Sequence, residues 1–168
     1  QTDADGHTGT TPARVFTVDT TAPVVTVDSP AAGVVLGVAT PNVAGSCSTY
    51  DGPITVTVTG TVGATATATC SSGAYVVALD ALPTGLYAVS ASQSDGAGLV
   101  GTSAEVGFAV DLVAPTTVDN TAALGTGWFT TPQTVLLTAN DLGGSSVAAT
   151  YYTTDGTAPT TSSASRPA

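Results

Sequence analysis

The stretch "ITVTVTG", Ile54 to Gly60, alternates strictly: Ile54, Val56 and Val58 fall on one face of an extended chain, Thr55, Thr57 and Thr59 on the other. A period of two predicts a half-buried strand, because β-branched side chains suit a pleated surface with one wet face. Just beyond it, "GATATATC" (Gly63–Cys70) alternates likewise and sets Cys70 on the face of Ala66 and Ala68. Outward from this pair, strand signals recur in both directions: "VVTVD" (Val24–Asp28), "PNVAGSC" (Pro41–Cys47), "AYVVALD" (Ala74–Asp80), "LYAVSASQS" (Leu86–Ser94) and "AEVGFAV" (Ala104–Val110).

Seven short alternating strands in about 90 residues, separated by Gly- and Pro-rich turns, predict an immunoglobulin-like β-sandwich. Composition agrees. The chain has 168 residues, 42% hydrophobic and mostly Val and Ala, with 19 Gly, 10 Pro and only 8% charged residues. A disordered Gly/Ser/Thr/Pro chain is the competing reading, and the persistent Val, Ile and Tyr alternation argues against it. The fold class is therefore all-β. Tyr87, just after the "LPTG" turn, stands where a tyrosine corner would bond back to upstream backbone; an ordinary core tyrosine fits the pattern too.

Net charge is −10, from twelve acids against Arg14 and Arg166, with no lysine. Such a chain repels phosphate backbones, which excludes nucleic-acid partners, and its natural ionic partner is a cation. No apolar run approaches the roughly 20 residues needed to span a bilayer, so membrane insertion is not expected. Cys47 and Cys70 are the only cysteines, without a CxxC spacing. A single disulfide in an oxidising compartment is the favoured reading over two free thiols.

Comparing the chain with itself exposes a repeat. "QTDADGHTGTTPARVFTVDTTAPVV" from Gln1 aligns without a gap on "QSDGAGLVGTSAEVGFAVDLVAPTT" from Gln93, pairing Gln1 with Gln93, Asp3 with Asp95, Gly9 with Gly101, Phe16 with Phe108, Val18 with Val110 and Asp19 with Asp111. A repeat this long is a whole domain, since solenoid units run about 20–50 residues. The expected layout is tandem sandwiches: residues 1–19 as last strands of a preceding repeat, 20–111 as one complete repeat, and 112–168 as a second, incomplete module. Gln1 then falls inside a pattern, and a longer parent chain is expected upstream.

The run "SCSTYDGPITVTVTG…TATCSSGAYVVALDALPTGLYAVSASQSDGAG…VGFAVDLVAP" resembles the bacterial Ig-like repeats of large secreted surface proteins and adhesins. "GWFTTPQTVLLTANDLGGSSVAATYYTTDGTAPTTSS" resembles the small β-sandwich modules at the C-termini of chitobiase-like enzymes. The first resemblance implies an extracellular shaft with calcium stiffening its joints. Here "SDGAGL" stands where that family usually has "TDAAGN".

Asp3, Asp5, Asp19 and Asp111 are accordingly the candidate calcium ligands; as loop residues they also suit Asx-turns. Trp128, Tyr151 and Tyr152 are candidates for a sugar-stacking platform, but core and edge packing is the favoured use of all three. Outward Thr arrays suit a solvent face better than a lattice-binding face. His7, the lone histidine, has no nucleophile to serve, and the acids are spread over turns, so no catalysis is expected. Without lysine, a Lys–Asn isopeptide crosslink is excluded. The expected function is a non-enzymatic stalk, fibre or adhesin shaft at the cell surface, its partners being neighbouring domains or copies. The alternatives are a carbohydrate- or surface-binding module and a filament subunit joined by strand complementation.

Overall fold

A computed structural model describes residues 1–125 and 127–167. Between Pro23 and Asp111 the chain forms β1 (Val35–Leu36), β2 (Asn42–Ser46), β3 (Ile54–Gly60), β4 (Ala64–Ala68), β5 (Ala74–Ala78), β6 (Gly85–Ser94), β7 (Val100–Thr102) and β8 (Val106–Val110). One sheet runs β1-β8-β6-β3-β4, with β7 also on β6; β2 and β5 pair in a second sheet. Every pairing is antiparallel except β1 with β8, which is parallel. The two sheets enclose one core: Val43 of β2 and Tyr75 of β5 meet Ile54, Val56 and Val58 of β3, Val89 of β6 and Val110 of β8. The Tyr87 and Phe108 rings stack inside it with centroids 5.5 Å apart. The protein is all-β, and this region is an immunoglobulin-like β-sandwich.

The alternation that predicted β3 sets its burial: Ile54, Val56 and Val58 are at most 1% exposed. Three details differ from the sequence reading. Val24–Asp28 is not a strand in its own right. It lies along β2 through Thr26 N–H to Ser46 O (3.1 Å) and Asp28 N–H to Ala44 O (2.8 Å). The approach is close enough that a Cβ on Gly45 would fall 2.0 Å from the Thr26 carbonyl oxygen. Pro30, lacking an N–H, ends this edge pairing, and the chain crosses to the other sheet as β1. β1 and β7, the two unpredicted strands, are two and three residues long, too short to show a period.

Beyond Asp111 the chain forms β9 (Thr116–Asp119), a single turn α1 (Thr121–Leu124), β10 (Leu137–Asn140), β11 (Ala149–Tyr152) and β12 (Ala164–Pro167). β9 pairs with β10 and β11 with β12, both antiparallel. Among the described residues, none from 112 to 165 is buried and none from 1 to 22 is buried. Two-stranded pairs cannot enclose a core alone. The apolar side chains that would supply one stay exposed, Phe16 at 83% and Val18 at 71%.

Candidate functional site

The strand β8 ends in a joint. Asp111, only 6% exposed, accepts the Val113 N–H on Oδ1 (2.9 Å) and the Ser145 N–H on Oδ2 (2.9 Å). Ser145 belongs to a loop that curls around this carboxylate. Asp141 Oδ1 accepts the Gly143 N–H at 3.1 Å, and the Ser145 hydroxyl donates to Asp141 Oδ2 at 2.6 Å. A Cβ on Gly143 would fall 1.6 Å from Asp111 Oδ1, so glycine alone fits there. Leu112 N–H donates to Thr84 Oγ1 (3.0 Å), tying the exit to the turn before β6. The bonds from Ser145, then Val113, hold the Asp111 carboxyl below the usual carboxylate range. One carboxylate thus fastens the sandwich to the segment that follows. Asp19 makes the first half of this arrangement, accepting the Thr21 N–H at 3.0 Å.

The turn that opens the repeat is alike in both copies. Asp95 N–H donates to Leu99 O (3.0 Å) and Asp3 N–H to His7 O (3.0 Å); Gly98 N–H donates to Asp95 O (3.3 Å) and Gly6 N–H to Asp3 O (3.2 Å). Each aspartate Oδ1 accepts two backbone N–H groups, from Ala97 and Leu99 in one copy and from Asp5 and His7 in the other. Gly6 and Gly98 share a φ of 86°, a left-handed conformation that glycine adopts without strain. One difference stands out: Asp3 Oδ2 meets His7 Nδ1 at 3.1 Å, whereas Asp95 Oδ2, in the copy where Leu99 takes the place of His7, is buried without a partner.

Gln93, the first residue of the second copy, is 1% exposed. Its Oε1 accepts the Ser48 N–H (3.0 Å), and its Nε2 donates to Ser48 O (2.9 Å) and Gly52 O (3.0 Å). Only this amide orientation satisfies all three groups, so Gln93 pins the β2–β3 loop. Beside it Cys47 is joined to Cys70, bridging the two sheets. Tyr87 Oη donates to Pro83 O at 2.9 Å, the geometry of a tyrosine corner, and Tyr75 Oη donates to Thr26 O at 2.7 Å. Sequence reasoning passed over Gln93 and Tyr75. The Gln1/Gln93 match was the one signal that marked Gln93.

The candidate calcium ligands do not converge. Asp3 and Asp5 share one loop, Asp19 lies in an exposed segment and Asp111 in the next joint; no group of three His, Cys, Asp or Glu side chains suited to a metal occurs among the described residues. Calcium takes about six to eight oxygens. Here the Asp3 and Asp111 oxygens are occupied by N–H donors, a set that does not fit the ion as placed. His7 is exposed and faces only Asp3. Trp128 stands clear of the protein at 102% exposure, which overturns the core packing expected for it, while Tyr151 and Tyr152 are 37% and 40% exposed. Adjacent on β11, those two tyrosines point to opposite faces and do not form one platform. No helix among the described residues is long and apolar enough to cross a membrane.

No protein-family model matches the chain, and no curated protein does. Among solved structures it is similar to an engineered protein (23% identity, TM-score 0.44), which covers 52% of this chain and 20% of that one. It is also similar to the Clostridium thermocellum CbhA fibronectin(III)-like modules (18% identity, TM-score 0.42), with 71% of this chain and 63% of that one covered. The chain thus spans less than two thirds of each of these two structures, and neither likeness bears on function.

Proposed function

We propose that the chain is a non-enzymatic, extracellular structural segment, a shaft of Ig-like repeats such as bacterial surface proteins and adhesins carry. The observation behind this reading is the parallel pairing of β1 with β8, the strands nearest the two ends of the sandwich. Once the Thr26–Ser29 edge has peeled from β2, tension on the entering chain pulls β1 toward its own N-terminus, and tension on the exit pulls β8 toward its C-terminus. In a parallel pair these forces are opposed along the strands, so the bonds are sheared together rather than unzipped one by one. Beside the ladder pairing of Val35 with Ala109 and Leu36 with Val110, backbone bonds in that patch include Gly33 N–H to Gly107 O (2.7 Å), Ala109 N–H to Val34 O (2.8 Å) and Asp111 N–H to Leu36 O (2.9 Å). The Asp111 clasp then limits bending at the exit, a role that needs no calcium. Partners on this reading are neighbouring domains of the same kind.

Pulling the protein by its ends tests the proposal. A discrete rupture is expected, at lower force in Ala109→Pro, which removes the central donor; rupture forces equal in the two proteins would contradict it. A second reading, a glycan-binding module, draws on the full exposure of Trp128. Its test is Trp128→Ala, with specific loss of glycan affinity supporting binding and unchanged affinity rejecting it.

A further inference from the structure

In the sandwich, residues 93–111 perform a defined set of tasks. Gln93 pins the β2–β3 loop through Ser48 and Gly52. Asp95 and Gly98 build the turn into β7. Gly101 passes under the Pro23 carbonyl, where a Cβ would fall 1.7 Å from its oxygen. Ser103 Oγ accepts the Ala91 N–H at 2.9 Å. Phe108 (3% exposed) and Val110 (fully buried) close the core, and Asp111 makes the joint.

Residues 1–19 carry the same groups at every one of these places: Gln1, Asp3, Gly6, Gly9, the hydroxyl of Thr11, Phe16, Val18 and Asp19. Their turn already holds the hydrogen bonds of its counterpart. Their apolar side chains, by contrast, face solvent, with Phe16 and Val18 exposed where Phe108 and Val110 are buried. A glycine that only a crossing carbonyl requires, and a glutamine that only a pinned loop requires, have no use in an isolated exposed segment: around Gly9 a Cβ would meet nothing closer than Gln1 O at 3.9 Å.

We propose that residues 1–19 form the closing segment of an Ig-like sandwich built as this one is but without its own β7 and β8, filling in it the slot that β7 and β8 fill here. The partner's chemistry is specified by the segment. It presents a strand edge equivalent to β6, a loop offering one N–H and two carbonyls to Gln1, a crossing carbonyl over Gly9, and an apolar slot for Phe16 and Val18. This acceptor differs from the coreless segment after Asp111, which presents no buried slot to the segment. The inference deepens the shaft reading by naming what each repeat hands to its neighbour, but it stands on the matched residues alone; the pulling experiment above reads the β1–β8 bonds and not the role of residues 1–19, so the two can fail separately.

The test transplants the sequence of residues 1–19 into positions 93–111 of the full chain, beside a control carrying a shuffled version of the same 19 residues. Cooperative melting within about 10 °C of the parent is expected of the transplant, and no cooperative transition of the shuffled control. The least compatible exchange places Arg14 at the position of Val106, which packs against the core. A second transplant therefore keeps Val106. Supporting outcomes are a native-like melt in either transplant; failure of both to melt differently from the shuffled control would overturn the proposal.

Discussion

Replacing Gln93 by alanine removes three hydrogen bonds at once and strands the groups that made them. Ser48 N–H, Ser48 O and Gly52 O sit in a half-buried loop, so water reaches them only in part. At about 1 kcal/mol net for each bond, the loss is about 3 kcal/mol. For a domain of this size each kcal/mol shifts the melting temperature by about 4–8 °C, which places the expected fall at about 12–24 °C. Urea titration at constant temperature, followed by tyrosine fluorescence, measures the free energy, and an unchanged slope would show that the unfolded state is not the origin. Gln93→Glu separates hydrogen bonding from shape. It keeps an acceptor for Ser48 N–H but turns a second oxygen toward two carbonyls, so it should be at least as destabilised near neutral pH and recover in part as acid protonates it. A loss under about 0.5 kcal/mol for Gln93→Ala would refute the claim that this side chain organises the loop.

The disulfide closes a separation of 23 residues, and Cys47→Ser with Cys70→Ser should cost about 3 kcal/mol in a denaturant melt; a negligible change would mean the sheets hold the loop unaided. Burial, aided by the nearby Asp28 carboxylate, pushes the Tyr75 hydroxyl up to about 12. Because its native value lies above the ordinary 10, its contribution is intact below pH 10 and is lost as pH rises toward 12. Ultraviolet titration should then show a tyrosine component ionising toward pH 12, which Tyr75→Phe removes. Chelation should leave the melting temperature unchanged, since the Asp3 and Asp111 oxygens already accept N–H donors; a drop restored by added calcium would contradict that.

Much of the sandwich was legible because its strands are long enough to display a period. β3 and β6, seven and ten residues, alternate buried with half-buried or exposed side chains along most of their length. β1 and β7 were not legible, because pairing for two or three residues is decided by neighbours distant in sequence. Val24–Asp28 reads as a strand and lies as an edge, because Gly45 draws its backbone close while Pro30 stops the ladder. At the joints the sequence located the aspartates but not their use. Whether a carboxylate collects N–H donors or a cation depends on the loop folded around it, and the Ser145 loop is 34 residues away from Asp111 in sequence. Trp128 was misread because an aromatic residue in a strand-rich chain is ordinarily buried, and the segment that holds it has no core to receive it.

The account rests on a sandwich that resists tension along its ends, and force–extension of the oxidised and reduced protein addresses that claim most directly. The oxidised protein should rupture in a discrete event that leaves the Cys47–Cys70 loop unextended. Reduction should lengthen the released chain by about 80 Å, the 23-residue separation at about 3.6 Å per residue. Featureless extension at low force, or a released length indifferent to reduction, would contradict the account.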